Sequence, residues 1–130
     1  MRGITLIETL IATTILAVLA LGVAPLVAIA VRANAAARLE LDALAAATER
    51  MEQLIAAPFD PPLSPADALA TDYPAFSDRV LARGGTLIRR WSVLPLASDP
   101  DNARVLVVRV GAKGHAPLAT FTTVRTRESP

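Results

Sequence analysis

Between Ile4 and Val31 the chain carries a single ionisable side chain, Glu8, and from Thr9 to Val31 it carries none. The residues are almost all Leu, Ile, Ala and Val, interrupted by Gly22 and Pro25. A helix rises about 1.5 Å per residue, so this run of about 23 residues spans roughly 35 Å, enough for a bilayer core of about 30 Å. A segment of this kind must leave water, either into a membrane or into a protein interior. The chain has 130 residues, room for one domain and not two. The expectation is a membrane-spanning helix with Arg2 and the initiator amine on the cytoplasmic side.

Two simpler readings compete. A cleavable secretory signal is supported by small residues at Ala28-Ile29-Ala30 and Ala33-Asn34-Ala35. Such signals have apolar cores of about 7–15 residues, shorter than this run, and no carboxylate inside them. An uncleaved anchor explains the length but gives Glu8 no purpose. A lone carboxylate in hydrocarbon costs several kcal/mol unless it snorkels to the interface or finds a partner.

The order Gly3-Ile4-Thr5-Leu6-Ile7-Glu8, continuing Thr9-Leu10-Ile11-Ala12, resembles the start of type IV pilins and the pseudopilins of type II secretion. In that family a short basic leader ends in Gly, a membrane peptidase cuts after it, and the new amine is methylated. The resemblance implies cleavage between Gly3 and Ile4, N-methylation of Ile4, and assembly roles for Glu8 and Pro25. The first mature residue is usually Phe or Met in the family, and here it is Ile4. A freed Ile4 amine on one copy would pair with Glu8 of a neighbour in a low-dielectric bundle. Partners implied are other pilin or pseudopilin subunits, the prepilin peptidase and an inner-membrane assembly platform. The implied location is the bacterial inner membrane, followed by a periplasmic or cell-surface filament. The alternative is a secreted or membrane-anchored small binding module.

Past Val31 strong helix formers continue to Ala57, and Pro58 stops them. Leu41, Leu44, Thr48, Met51 and Ile55 follow three–four spacing, with Ala37 a turn earlier, and predict an apolar face packed on the protein's own sheet. Residues 58–85 form a Pro-rich connector, with a helical turn expected at Pro65 to Leu69 capped by Ser64. Strands are expected at Thr86–Leu94, Arg104–Val110 and Leu118–Thr126, with a short edge strand at Asp78–Ala82. Turns are expected at Asp99-Pro100-Asp101-Asn102 and at Gly111–His115. Trp91 is expected to anchor the helix–sheet contact.

The domain reading is therefore a leader at 1–3, an assembly helix at 4–31, its amphipathic continuation at 32–57, the connector at 58–85 and the sheet of the head at 86–130. The fold class is α+β: a long N-terminal helix, membrane-spanning in its first half, packed by its second half on a small antiparallel sheet of three to four strands.

Catalytic and cofactor chemistry has little to work with. Cysteine is absent, which removes disulfides, thiolate metal sites and a thiol nucleophile. His115 is the one histidine, in a Gly-flanked turn. Asp99 and Asp101, with Asn102, are weak Ca²⁺ candidates, since three oxygen ligands are too few alone. Arg79, Arg83, Arg89 and Arg90 read either as a basic patch for DNA or, better, as a solvated face and charge pairs with nearby Asp residues. The formal net charge of +1 argues against a broad basic surface. No enzyme, cofactor or metal is expected.

Overall fold

In the computed structural model, residues 2–127 are described, with side chains from Thr5 onward, so the expectations at Gly3 and Ile4 fall outside the described side chains. Helix α1 runs Arg2–Ala56. It is followed by strands β1 (Ser77–Ala82), β2 (Gly85–Leu96), β3 (Asp99–Gly111) and β4 (Ala119–Thr126). The strands form one antiparallel sheet in the order β1-β2-β3-β4. The fold is α+β, with the C-terminal part of α1 packed on the sheet. The chain divides into two compact units, Met1–Ala37 and Arg38–Pro130.

Within the second unit, one face of the sheet supplies bulk. Leu87, Trp91 and Val93 of β2 alternate inward with Leu106, Val108 and Val110 of β3, and all are buried. The register places Trp91 opposite Val108 and Val93 opposite Leu106, so these side chains form cross-strand pairs. Each contributes about 1.5–3 kcal/mol by leaving water. Trp91 sits at the helix contact, as expected from sequence.

The helix face that meets this layer is the one lined by small residues. Ala43, Ala46 and Ala47 are buried, with Met51 and Leu54 extending the face. The stripe predicted from apolar spacing is mostly wrong. Leu41 is 64% exposed, Leu44 and Ile55 are nearly half exposed, Thr48 is exposed, and only Met51 of that set is buried. The reason is volume. A sheet face carrying Trp, Leu and Val has no room for a second row of leucines, whereas alanine lets the backbone approach.

Two further expectations are corrected. The β2–β3 reversal is a two-residue turn at Ala97-Ser98, not Asp99–Asn102. The turn-forming composition of Asp99–Asn102 instead produces an irregularity in β3: Leu96 pairs with Asp99 and Pro95 with Arg104, leaving four β3 residues without β2 partners. Ser64 does not cap a helical turn. Its backbone N–H and its hydroxyl both donate to the Val93 carbonyl (3.0 and 3.3 Å), and its Oγ accepts from the Val93 N–H at 3.0 Å. It thereby closes the part of β2 beyond the reach of β1, satisfying backbone groups that would otherwise be orphaned. The short edge strand expected at Asp78–Ala82 is present: β1 pairs with β2 over Ser77–Ala82, at the end of the segment 58–85.

Two glycines are required by their backbones. Gly85 (φ +137°) closes the β1–β2 hairpin, and Gly114 (φ +77°) turns the β3–β4 connection.

The helix-face assignment predicts opposite outcomes for two substitutions. Ala43→Leu should destabilise the full-length chain in detergent by about 1–3 kcal/mol through overpacking. Leu41→Ala should stay within about 0.5 kcal/mol. Chemical denaturation followed by Trp91 fluorescence measures both, and a larger loss from Leu41→Ala would return the leucine stripe to the interface.

Candidate functional site

In the first unit the helix is built for an apolar surrounding. Every Leu, Ile and Val from Leu6 to Val31 is more than half exposed. The hydroxyls that interrupt the run are satisfied internally. Thr9 Oγ1 donates to the Thr5 carbonyl at 2.8 Å, Thr13 to Thr9 at 2.7 Å and Thr14 to Leu10 at 2.7 Å. Such bonds to the preceding turn let a hydroxyl sit in hydrocarbon without an unpaired donor. By length and composition this helix can cross a membrane, with a mean hydropathy of 2.6 over its most apolar stretch. Its position near the N-terminus is compatible with membrane anchoring.

Glu8 lies on the exposed helix surface among these residues. Pro25 stands inside the continuous helix. It lacks the N–H that would bond the carbonyl four residues earlier. Gly22, one turn before it, has open space where a Cβ would be. The helix therefore has one backbone hydrogen bond fewer at Pro25 than an uninterrupted span.

In the second unit, two of the four arginines considered as a basic patch, Arg89 and Arg90, form charge pairs, and Arg83 donates its backbone N–H to Asp42 at 3.1 Å. Arg89 points to the helix side and is buried, at 6% exposure. It donates to both Asp78 oxygens (2.9 and 2.6 Å), to the Ala46 carbonyl at 2.9 Å and to Glu49 at 3.4 Å. The Asp78 hydrogen bonds raise its already high pKa, outweighing burial. Arg50 stacks on Trp91, with its guanidinium carbon 3.7 Å from the ring centre, and bonds Gln53. Burial, and secondarily the Arg89 charge, lowers its pKa. Arg90 pairs with Asp72 at 2.7 Å. Sequence reasoning anticipated pairing with Asp, but not that two cations would sit in the helix–sheet seam. The available signal was period two: Arg89 lies between Leu87 and Trp91 on the inward face.

A further arginine does what the helix sequence omits. The last turn of α1 contains no basic residue. Arg125, from β4, donates to the carbonyls of Leu54 (3.2 Å) and Ala57 (2.6 Å), covering the negative end of the helix.

The remaining candidates are brought into no common site. Asp99 Oδ1 accepts from the backbone N–H and side-chain amide of Asn102, and Asp99 and Asp101 are exposed on the irregular end of β3. Among the described residues no group of three His, Cys, Asp or Glu side chains could hold a metal. His115 lies in the exposed β3–β4 turn, its Nδ1 3.0 Å from the Lys113 carbonyl. A surface cluster that the sequence did not suggest joins Tyr73, whose hydroxyl donates to Asp67 at 2.9 Å, and Thr71, which donates to the same carboxylate at 3.1 Å. Tyr73 and then Thr71 hold the Asp67 pKa below its ordinary value, and Asp67 raises that of Tyr73.

Comparison with known proteins returns no matching family model, no matching curated protein and no matching solved structure.

The Asp67 cluster makes a signed pH prediction. The contribution of Asp67 is present above the ordinary carboxylate range and is lost as pH falls through its lowered pKa, below about 3.9. That of Tyr73 is full below about pH 10 and is lost as pH rises through its elevated pKa. Tyr73→Phe should flatten the stability–pH curve at both ends. An unchanged profile in urea titrations at pH 3 to 11 would show the cluster to be energetically idle.

Proposed function

We propose that this chain is a structural, non-catalytic filament subunit, a minor pilin or pseudopilin of a type IV pilus or type II secretion machine. The observation that carries the reading is a helix whose Leu, Ile and Val side chains from Leu6 to Val31 are all exposed, with one carboxylate, Glu8, four residues beyond Ile4. Hydrocarbon or neighbouring helices must cover that surface, and burying a charge there without a partner is costly.

The sequence of events is the one that the resemblance to type IV pilins implies. The helix inserts with its N-terminus in the cytoplasm of a bacterial inner-membrane system. The prepilin peptidase cuts after Gly3 and the Ile4 amine is methylated. A methylated amine keeps its positive charge, so it can neutralise Glu8 of an adjacent copy as subunits leave the bilayer through the assembly platform. Once both ions are dehydrated, loss of either leaves the other unpaired, so the pair selects one axial register over its alternatives. The hydrogen bond missing at Pro25 lets the helix adjust as it passes from lipid to a helical bundle. The head takes no part in this chemistry and faces the periplasm or the cell surface.

The mass of the mature N-terminus is the direct test. It should begin at methylated Ile4; a start near Val31 or Ala36 would identify a conventional secreted module, and retention of Arg2 a plain anchor. Gly3→Leu should leave an unprocessed precursor in the membrane. Glu8→Leu should insert and be processed, yet enter filaments at a small fraction of the normal level; undiminished incorporation removes the role assigned to Glu8.

A further inference from the structure

The face of the sheet turned away from α1 carries an unbalanced pair of cations. Arg90 of β2 and Arg109 of β3 stand directly opposite each other in the register. Like charges so placed destabilise a strand pair. Arg90 is partly relieved: its Nε donates to Asp72 at 2.7 Å, and its two terminal nitrogens stay unbonded. Arg109 has no hydrogen bond or ion pair among the described residues, although its Nε is buried. Arg50 and Arg104 also bury an Nε, but their other nitrogens find partners, Gln53 for one and Asp60 for the other. Arg90 and Arg109 line a recess of about 110 Å³, together with Leu69 and Ala70 of the connector and His115 and Pro117 of the β3–β4 connection. Other charges nearby are few. Asp67, on the connector turn beside Leu69, is held by the Tyr73 and Thr71 hydroxyls, and Lys113 is exposed in the turn before His115. Asp67 and Asp72 against Arg90, Arg109 and Lys113 leave one positive charge in surplus. Glu128 follows Arg127, whose N–H bonds the Asn102 carbonyl, seven residues along β3 from Arg109.

We propose that this recess binds a phosphate group. A buried donor without an acceptor is costly, and in a native fold it points to an acceptor supplied from outside the chain. Guanidinium forks match the oxygens of carboxylates and phosphates. A carboxylate offers two oxygens in one plane, enough for one fork, and Asp72 already serves Arg90 in this way. Spanning two forks on neighbouring strands takes an anion whose oxygens point in several directions, which a tetrahedral phosphate provides. Its charge also offsets the repulsion between Arg90 and Arg109, so the bound group ties β2 to β3. The recess exceeds the roughly 10–15 Å³ that a single water needs, so a small oxyanion enters with part of its hydration. The phosphate arrives either as the free ion or as the headgroup of an anionic lipid, and the donors that meet it are the same.

The test uses the full-length chain in an uncharged detergent, with Trp91 fluorescence reporting thermal unfolding. Inorganic phosphate is compared with chloride at equal ionic strength, which separates binding from screening. Phosphate should raise the midpoint by about 5 °C, growing with the logarithm of its concentration once the site fills. Arg109→Gln should weaken the apparent affinity about tenfold. The same substitution should not lower the midpoint in chloride, because it removes a like-charged neighbour and an unpaired donor. Arg109→Lys keeps the charge without the fork and should bind with intermediate affinity. Arg79→Gln, exposed on the same face but outside the recess, should respond as the native chain does. Circular dichroism checks that each variant is folded. The native chain and Arg109→Gln are also compared in vesicles of phosphatidylglycerol and of phosphatidylcholine. An Arg109-dependent rise with free phosphate assigns the site to the soluble ion. An Arg109-dependent rise confined to phosphatidylglycerol assigns it to a lipid headgroup. Equal midpoints in both comparisons, or a rise that survives Arg109→Gln, would overturn the proposal. None of these outcomes depends on where the mature chain starts, so the filament reading stands or falls separately.

Discussion

The head is held by a mismatch of side-chain sizes across one seam. Alanines 43, 46 and 47 bring the helix backbone close to the sheet, and Leu87, Trp91, Val93, Leu106, Val108 and Val110 fill the space from the other side. Interiors pack at crystal-like density, so bulk can be placed on one surface or shared, but not doubled. Here the sheet holds it. Everything else in the head is arranged around that choice: Leu41 and Leu44 of α1 turn outward, Trp91 finds the helix, and the connector is free to close the remaining edge of β2 through Ser64.

The same seam accommodates charge because each cation is partnered at short range. Arg89 reaches Asp78, Glu49 and the Ala46 carbonyl at once, and Arg50 spreads over the Trp91 face. A buried guanidinium without such partners would be strongly destabilising, and with them its net contribution is small. What the network adds is orientation. It ties β1, β2 and α1 together through Asp78, Arg89 and Ala46, three points that are distant in sequence. Arg125 plays the matching part at the helix C-terminus, where β4 supplies the positive charge that the last helical turn lacks.

The N-terminal unit follows different physics. Its residues satisfy their own backbone and hydroxyl groups, and its apolar side chains face outward. Such a helix depends on its surroundings for stability, whereas the head buries its own core. One continuous helix therefore contains two regimes, and burial on the sheet begins only at Leu39, past the first charge after Val31, Arg32.

Much of this was legible in the residues themselves. An uncharged run longer than a bilayer is thick, a proline stop at Pro58, alternating Val-rich strands and Gly-bearing turns were enough to specify an α+β chain with a long apolar helix, because periodicity and backbone restriction act locally. The placement of Trp91 followed from the same alternation. The helix face was not legible, because Leu41 and Ala43 can each point inward, and only the volume presented by the sheet decides between them. The turn at Ala97-Ser98 was misplaced because Asp-Pro-Asp-Asn favours any sharp backbone change, and the competition between strand registers turned that preference into an irregularity in β3. Ser64, Arg89 and Arg125 took their roles from partners 29 to 71 residues away. The chain alone determined which segments leave water and which elements form. Tertiary structure decided which faces meet and which charges pair, since close packing and short-range hydrogen bonding exist only once distant segments are side by side.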